Sequence, residues 1–142
     1  MVDTFTVENI SFGDLSSEEL AVMFTDGRLA SHFLERQLTK WYPFLTFVDK
    51  RGYDHIDERE NKYDQKCFTK GGLTFSPSNM AGKGRVFVQE EAHEHAKGIT
   101  YICCDVVDFP TVRVKFAKGE ELIQEFPKCK IAYSKREEFF NE

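Results

Sequence analysis

Between residues 28 and 41 the apolar positions Leu29, Phe33, Leu34, Leu38 and Trp41 recur at helical spacing, which predicts a helix from Arg28 to Trp41 that Pro43 ends. A shorter helix should precede it, because Ser16 with Glu19 three residues on forms a capping box and Asp26-Gly27 then breaks the run. Residues 1–15 read as an extended lead-in with Phe5 and Val7 alternating. After Pro43 the period shortens. Phe44 to Val48 is strand-like, Lys50-Arg51-Gly52 is a turn, Tyr53 to Asp57 alternates, and Lys62 to Thr69 is a further strand closed by Gly71-Gly72. Residues 73–87, rich in Gly, Ser, Asn and Pro, predict an irregular loop. Val88 to Lys97 then reads as a helix stopped by Gly98, and Ile99 to Val107 as a central strand apolar enough to be buried on both faces. A strand (Thr111 to Phe116), a short helix (Gly119 to Phe126), a short strand (Lys130 to Tyr133) and a capped turn from Ser134 complete the chain. From residue 28 to 107 the order is helix, three strands, helix, strand. That order predicts an α/β fold with a mixed central sheet whose three middle strands form an antiparallel meander.

At 142 residues, with 41% hydrophobic and 14% aromatic residues, the chain suits one domain with a real core. No apolar run approaches the roughly 20 residues needed to span a bilayer, and the N-terminus lacks the pattern of a secretion signal, so a soluble cytoplasmic protein is expected. Cys67, Cys103, Cys104 and Cys129 have no metal-ligand spacing. They read as reduced small hydrophobes, with the adjacent Cys103 and Cys104 facing opposite sides of a sheet. The net charge of −5 argues at first against nucleic acid, but it is unevenly spread. Residues 1–60 hold 6 basic and 12 acidic side chains, and residues 61–142 hold 13 and 12. From Gln65 to Gln89 there is no carboxylate, whereas Lys66, Lys70, Lys83 and Arg85 lie in that stretch. Such a local basic surface suffices for phosphate contacts.

The chemistry concentrates between Tyr53 and Lys66. Asp64 and Lys66 are two apart, so on a strand they share a face. A neighbouring strand would bring Asp54 to that face. Two carboxylates converging beside a lysine make a plausible divalent-metal site with hard oxygen ligands, where the lysine can orient or help deprotonate an attacking water.

Asp54, nine intervening residues and then Asp64-Gln65-Lys66 resembles the PD-(D/E)xK motif of type II restriction endonucleases and related nucleases. The family core has the element order read above, over about 80 of the 142 residues. Tyr53 stands where the family name has proline, and Asp64 replaces the commoner glutamate. The resemblance implies a magnesium-dependent endodeoxyribonuclease, with manganese able to substitute. It implies that Asp54 and Asp64 hold the metal, that Lys66 activates water and that Glu35, on the preceding helix, supports the metal shell. Gln65 would add its carbonyl. Lys70, Ser76, Ser78, Asn79, Lys83 and Arg85, on the segment following the lysine, become candidate DNA contacts. A loop of this length without structure of its own is uncommon unless functional.

Cutting both strands of a duplex takes two active sites, so double-stranded DNA as substrate implies a C2 homodimer. The lead-in and the tail after residue 110, outside the core pattern, are candidates for its interface. A junction-resolving or homing-type nuclease would use the same residues, a non-catalytic DNA-binding module would keep the fold, and an unrelated interaction protein would leave Asp54 and Asp64 far apart. His55 is expected on the surface or at DNA, His32 reads as structural, and His93 and His95 are expected as solvated helix residues.

Overall fold

In the computed structural model, which describes residues 1–80 and 82–141, the long amphipathic stretch forms one helix, α2 (Gly27–Trp41), after a short α1 (Ser17–Met23). The capping box is present. Ser16 Oγ accepts the Glu19 N–H at 3.0 Å, and Glu19 Oε1 accepts the Ser16 N–H at 3.2 Å. Asp26 caps α2 by accepting the Arg28 N–H at 2.9 Å, which satisfies one of the donors a helix start leaves open. At Gly27 a Cβ would meet Thr69 Cγ2 at 3.2 Å and Cys67 Cβ at 3.4 Å, so a bare backbone lets the helix start lie close on the strand beneath it.

The strands are β1 (Val2–Thr6), β2 (Thr46–Lys50), β3 (Tyr53–Ile56), β4 (Lys62–Phe68), β5 (Leu73–Thr74), β6 (Ile99–Asp105), β7 (Thr111–Lys118) and β8 (Lys130–Ile131). Six of them form one mixed sheet in the order β1-β7-β6-β4-β3-β2, and β5 pairs with β8. β2, β3 and β4 make the expected antiparallel meander, and β4 runs parallel to β6. Of the remaining helices, α3 (Gln89–Ala96) lies within the β4–β6 crossover, α4 (Gly119–Glu125) follows β7, and α5 (Arg136–Phe140) ends the described chain. A parallel pair needs such a crossover.

The sheet separates two apolar clusters. On one face Ala30, Leu34 and Leu38 of α2 pack on Ile102, Cys104, Val112 and Val114. On the other, Ala92 and Ala96 of α3, Leu122 and Ile123 of α4, and Phe139 and Phe140 of α5 pack with Phe68, Tyr101 and Cys103. Cys103 and Cys104 therefore face opposite sides, and all four cysteines are free thiols. No helix among the described residues is long and apolar enough to cross a membrane.

Three expectations shift. β2 begins at Thr46 rather than Phe44, because the chain turns after α2 with the Leu45 N–H donating to the Tyr42 carbonyl at 3.0 Å. Phe44 instead joins an aromatic group with Tyr42, Tyr63 and Phe116. The segment 73–87 is not one irregular loop. It carries β5 and a 3-10 turn at Ser78–Met80, and Leu73, Phe75 and Met80 are core residues; Ala81 lies outside the described residues. The chain ends are not appendages either. β1 pairs with β7 along its length, and Phe5 stacks on Trp41 at 4.3 Å.

The C-terminal helix is fixed by charge as well as by apolar contact. Asp105, only 2% exposed, accepts from Arg113 Nη2 at 2.7 Å and Arg136 Nε at 3.0 Å, and takes the Val107 N–H at 3.1 Å. Removing one member of a buried ion group strands the other charges. Asp105→Ala should therefore cost about 3–5 kcal/mol in urea denaturation. Glu137→Ala, which removes an exposed partner of Arg113, should produce a much smaller change. Equal effects would show that Asp105 is not the anchor.

Candidate functional site

The β3–β4 ladder pairs Ile56 with Lys62 and His55 with Tyr63, and goes no further. Continuing that register would set Asp54 opposite Asp64. There the ladder is replaced by a side-chain bond, as Asp54 Oδ2 accepts the Gln65 backbone N–H at 3.0 Å. Asp64 stands within hydrogen-bonding reach of the Asp54 carboxyl, and its Oδ2 lies 3.3 Å from Lys66 Nζ. The two-residue spacing of Asp64 and Lys66 thus aims both into the place where the strands part. Their side chains are largely withdrawn from solvent, at 14% and 22% exposed.

Alternation along β4 sends Gln65 to the other face. Its side chain is buried, with Oε1 accepting from Ser31 Oγ at 2.7 Å and Nε2 donating to Cys67 Sγ at 3.1 Å. The Ser31 bond ties β4 to α2 one turn before Glu35, and both ends of the Gln65 side chain are engaged. Glu35 is partly buried and close enough to Asp54 to feel its charge. Burial first, then Asp54, raises its carboxyl above the usual range, while His32 and Arg36 pull it back. The Asp64 carboxyl is pushed up to about 7, chiefly by burial; Lys66 opposes this, and Asp54 adds to it.

A cleft of about 820 Å³ opens over these groups. It is lined by Glu35, Asp54, Asp64, Gln65 and Lys66, and by Ser78, Asn79 and Arg85 from the segment after β5. An Arg85 guanidinium N–H donates to the Ser78 carbonyl, which ties the two ends of that segment together. The other candidate contacts fall elsewhere. Ser76 is 5% exposed and has little to offer a ligand, because it sits between core residues Phe75 and Met80. Lys70 lines a separate depression with Val22, Asp26 and Gly71, at the far end of β4. Lys83 is exposed and is not among the residues lining the cleft.

Sequence reasoning missed Ser31, Lys50, Arg51 and His95, all of which line the cleft. Ser31 precedes Glu35 by four and so shares its helix face, a signal that was available. His95 had none, since only the fold brings α3 to the β2–β3 turn. The expectation for His55 is overturned. It is fully buried, and its Nε2 is 2.6 Å from the Glu35 carbonyl, because strand alternation turns it toward α2. His93 is likewise engaged, with Nε2 2.7 Å from the Pro127 carbonyl.

Among the described residues, no three His, Cys, Asp or Glu side chains stand close enough together to form a metal-binding group. The Asp54–Asp64 pair is the nucleus of the site, with Glu35 beside it. Its donors are carboxylate oxygens with the Gln65 backbone adjacent, which is the chemistry a hard divalent cation takes. Two carboxyls held together and partly buried also lack a compensating charge beyond Lys66, so the residues fit such a cation. No protein-family model, curated protein or solved structure matches the chain.

The raised Asp64 carboxyl has a stability consequence. Its folded value, about 7, exceeds the unfolded 3.8, so the fold binds the proton more tightly and loses stability as pH rises from 3.8 to about 7. In EDTA, Asp64→Asn should stabilise the protein at pH 8, on the order of 2 kcal/mol. At pH 5, where only the unfolded carboxyl is ionised, the gain should be smaller, and below about 3.8 it should vanish because both states are neutral. Urea midpoints at the two pH values measure this, and a loss of stability at both would refute the burial of an unwelcome charge.

Proposed function

We propose that the protein is a divalent-metal-dependent endodeoxyribonuclease, built on the restriction-endonuclease-like plan of helix, three-strand meander, helix and strand. The observation that carries this reading is the convergence of Asp54, Asp64 and Lys66 where β3 and β4 part, inside an open cleft. The order α2, β2–β4, α3, β6, with β4 parallel to β6, supports it. DNA is the proposed substrate, in duplex form, and a homodimer would place one site at each strand. Magnesium is the proposed ion, with manganese able to replace it.

Asp54 and Asp64 would hold the ion, supported by Glu35 and the Gln65 carbonyl. When bound there, it supplies polarisation of a phosphoryl oxygen and easier deprotonation of water. The rest falls to side chains. Lys66, tethered at 3.3 Å to Asp64, presents an ammonium of fixed position that can orient the attacking water and offset charge on the phosphate. Asp54 is kept from rotating by the Gln65 N–H. Ser31 holds Gln65, and His55 holds the α2 backbone at Glu35. Positions fixed in this way lower the reorganisation needed in the transition state.

Plasmid cleavage in magnesium, run beside Asp64→Ala and Lys66→Ala, tests this directly. The wild type should nick or linearise the DNA, and each substitution should reduce the rate by at least about a hundredfold. If the wild type leaves plasmid, single-stranded and branched DNA intact in magnesium and in manganese, the catalytic reading fails. Retained DNA binding would then point to a non-catalytic module.

A further inference from the structure

Two basic segments, far apart in sequence, line the cleft. One brings Arg85 beside Ser78 and Asn79; the other is the β2–β3 turn, Lys50-Arg51-Gly52. Lys50 and Arg51 are both exposed, and neither side-chain cation forms an ion pair or hydrogen bond among the described residues. Arg51 precedes Asp54 by three residues, so their Cα atoms can be no more than about 11 Å apart. The turn is also shaped. The β2–β3 register shifts between Phe47 and Lys50, Asp49 has φ 45° and Gly52 φ 90°. Both angles lie in the left-handed region, so the chain bends sharply there rather than continuing as a flat hairpin.

The turn is held from above. The ring of His95, on α3, sits over Gly52, where a Cβ would be 3.1 Å from His95 Cε1. A side chain at position 52 would meet that ring and would also be strained by the backbone angle. Helix and turn therefore lock together at a residue with no side chain. This leaves the two preceding cations at the edge of a cleft whose floor is acidic. Mobile lysines and arginines gain little from such a lock, but cations that must meet a ligand in one register gain pre-organisation.

We propose that the β2–β3 turn is a second backbone-gripping arm for DNA, in which Lys50 and Arg51 contact phosphates flanking the bond to be cut. His95 is its positioning residue, acting through Gly52. This rests on the nuclease reading and extends it, since the only basic contacts expected from the sequence lay on the segment after β4. The charge pattern agrees. A cation at the carboxylate floor and basic groups at the rim suit a polyanion that crosses the cleft, with one phosphate at the floor and its neighbours at Lys50, Arg51 and Arg85.

The test is fluorescence anisotropy of a labelled duplex oligonucleotide in magnesium, with Asp64→Asn as the non-cutting parent and a series of salt concentrations. Adding Lys50→Ala with Arg51→Ala should weaken binding about tenfold or more at 0.1 M salt. It should also make the slope of log K against log salt shallower by about 1.8, or about 0.9 for each lost phosphate contact. His95→Ala should flatten the slope in the same direction with both cations still present, an effect that loss of fold stability alone would not produce. Wild-type cleavage with an unchanged slope in the Lys50/Arg51 variant would overturn the arm and leave the nuclease standing. If the parent does not bind the duplex and the wild type does not cut it, both readings fall together.

Discussion

Between β3 and β4 two residue pairs complete a ladder, and the next backbone donor, the Gln65 N–H, goes to the Asp54 carboxylate at 3.0 Å instead of to a strand carbonyl. The rest of the site follows from that substitution. A continued ladder would press Asp54 and Asp64 against each other as a directly opposed like-charged pair, which destabilises a sheet. Parting the strands turns the same two residues into a floor with space above it. Asp54 keeps a good hydrogen bond, the Gln65 N–H is satisfied, and Asp64 is left in a position that disfavours its charge. A sheet evolved for stability alone has no reason to keep such a group. The arrangement makes sense where a ligand supplies the missing positive charge.

The surroundings are stiff where the floor needs stiffness. α2 lies on β4 through Gly27, Ser31 bonds Gln65, and His55 meets the Glu35 carbonyl, so one helix face is registered against two adjacent strands. On the other side of the sheet, Tyr101 pairs with Asp64 across the parallel β4–β6 ladder and is fully buried against Phe75. The tight interior behind Asp64 keeps water from screening the carboxyl from behind. That is why burial, rather than either charged neighbour, dominates its shift.

Much of this was legible in the chain. The period of the apolar residues gives α2 and the meander, because each buries one face and must repeat at 3.6 or 2. β6 is read instead from an apolar run, since both its faces are buried. The two-residue spacing of Asp64 and Lys66 gave their common face for the same reason. What was illegible depends on contacts made at a distance. β5 is two residues long, too short to show a period, and exists only because it pairs with β8, the short strand expected from Lys130. Ser76 looked like an exposed loop hydroxyl because nothing local reveals that Phe75 and Met80 on either side are pulled into the core. His95 looked solvated because its partner is a glycine 43 residues earlier, and glycine leaves no pattern of its own. His55 was misread for a simpler reason. Alternation was applied to turn it away from Asp54, but the far face of β3 lies under α2 rather than in solvent.

The excess of acidic residues then becomes consistent with a polyanionic ligand. A phosphate approaching three carboxylates alone would be repelled, and a basic rim alone would hold DNA without drawing one phosphodiester down to the floor. If Asp54 and Asp64 held a divalent ion, as proposed, the floor's sign would be offset, and a phosphate would in turn add negative charge that favours the ion. Each ligand then improves the site for the other, and by linkage the gain is equal in both directions. Metal and DNA would therefore bind cooperatively in this cleft, each more weakly when alone. On the proposed reading, such a design would leave the free protein with a strained carboxyl and little affinity for stray phosphates, and would confine strong binding to the state in which cleavage could occur.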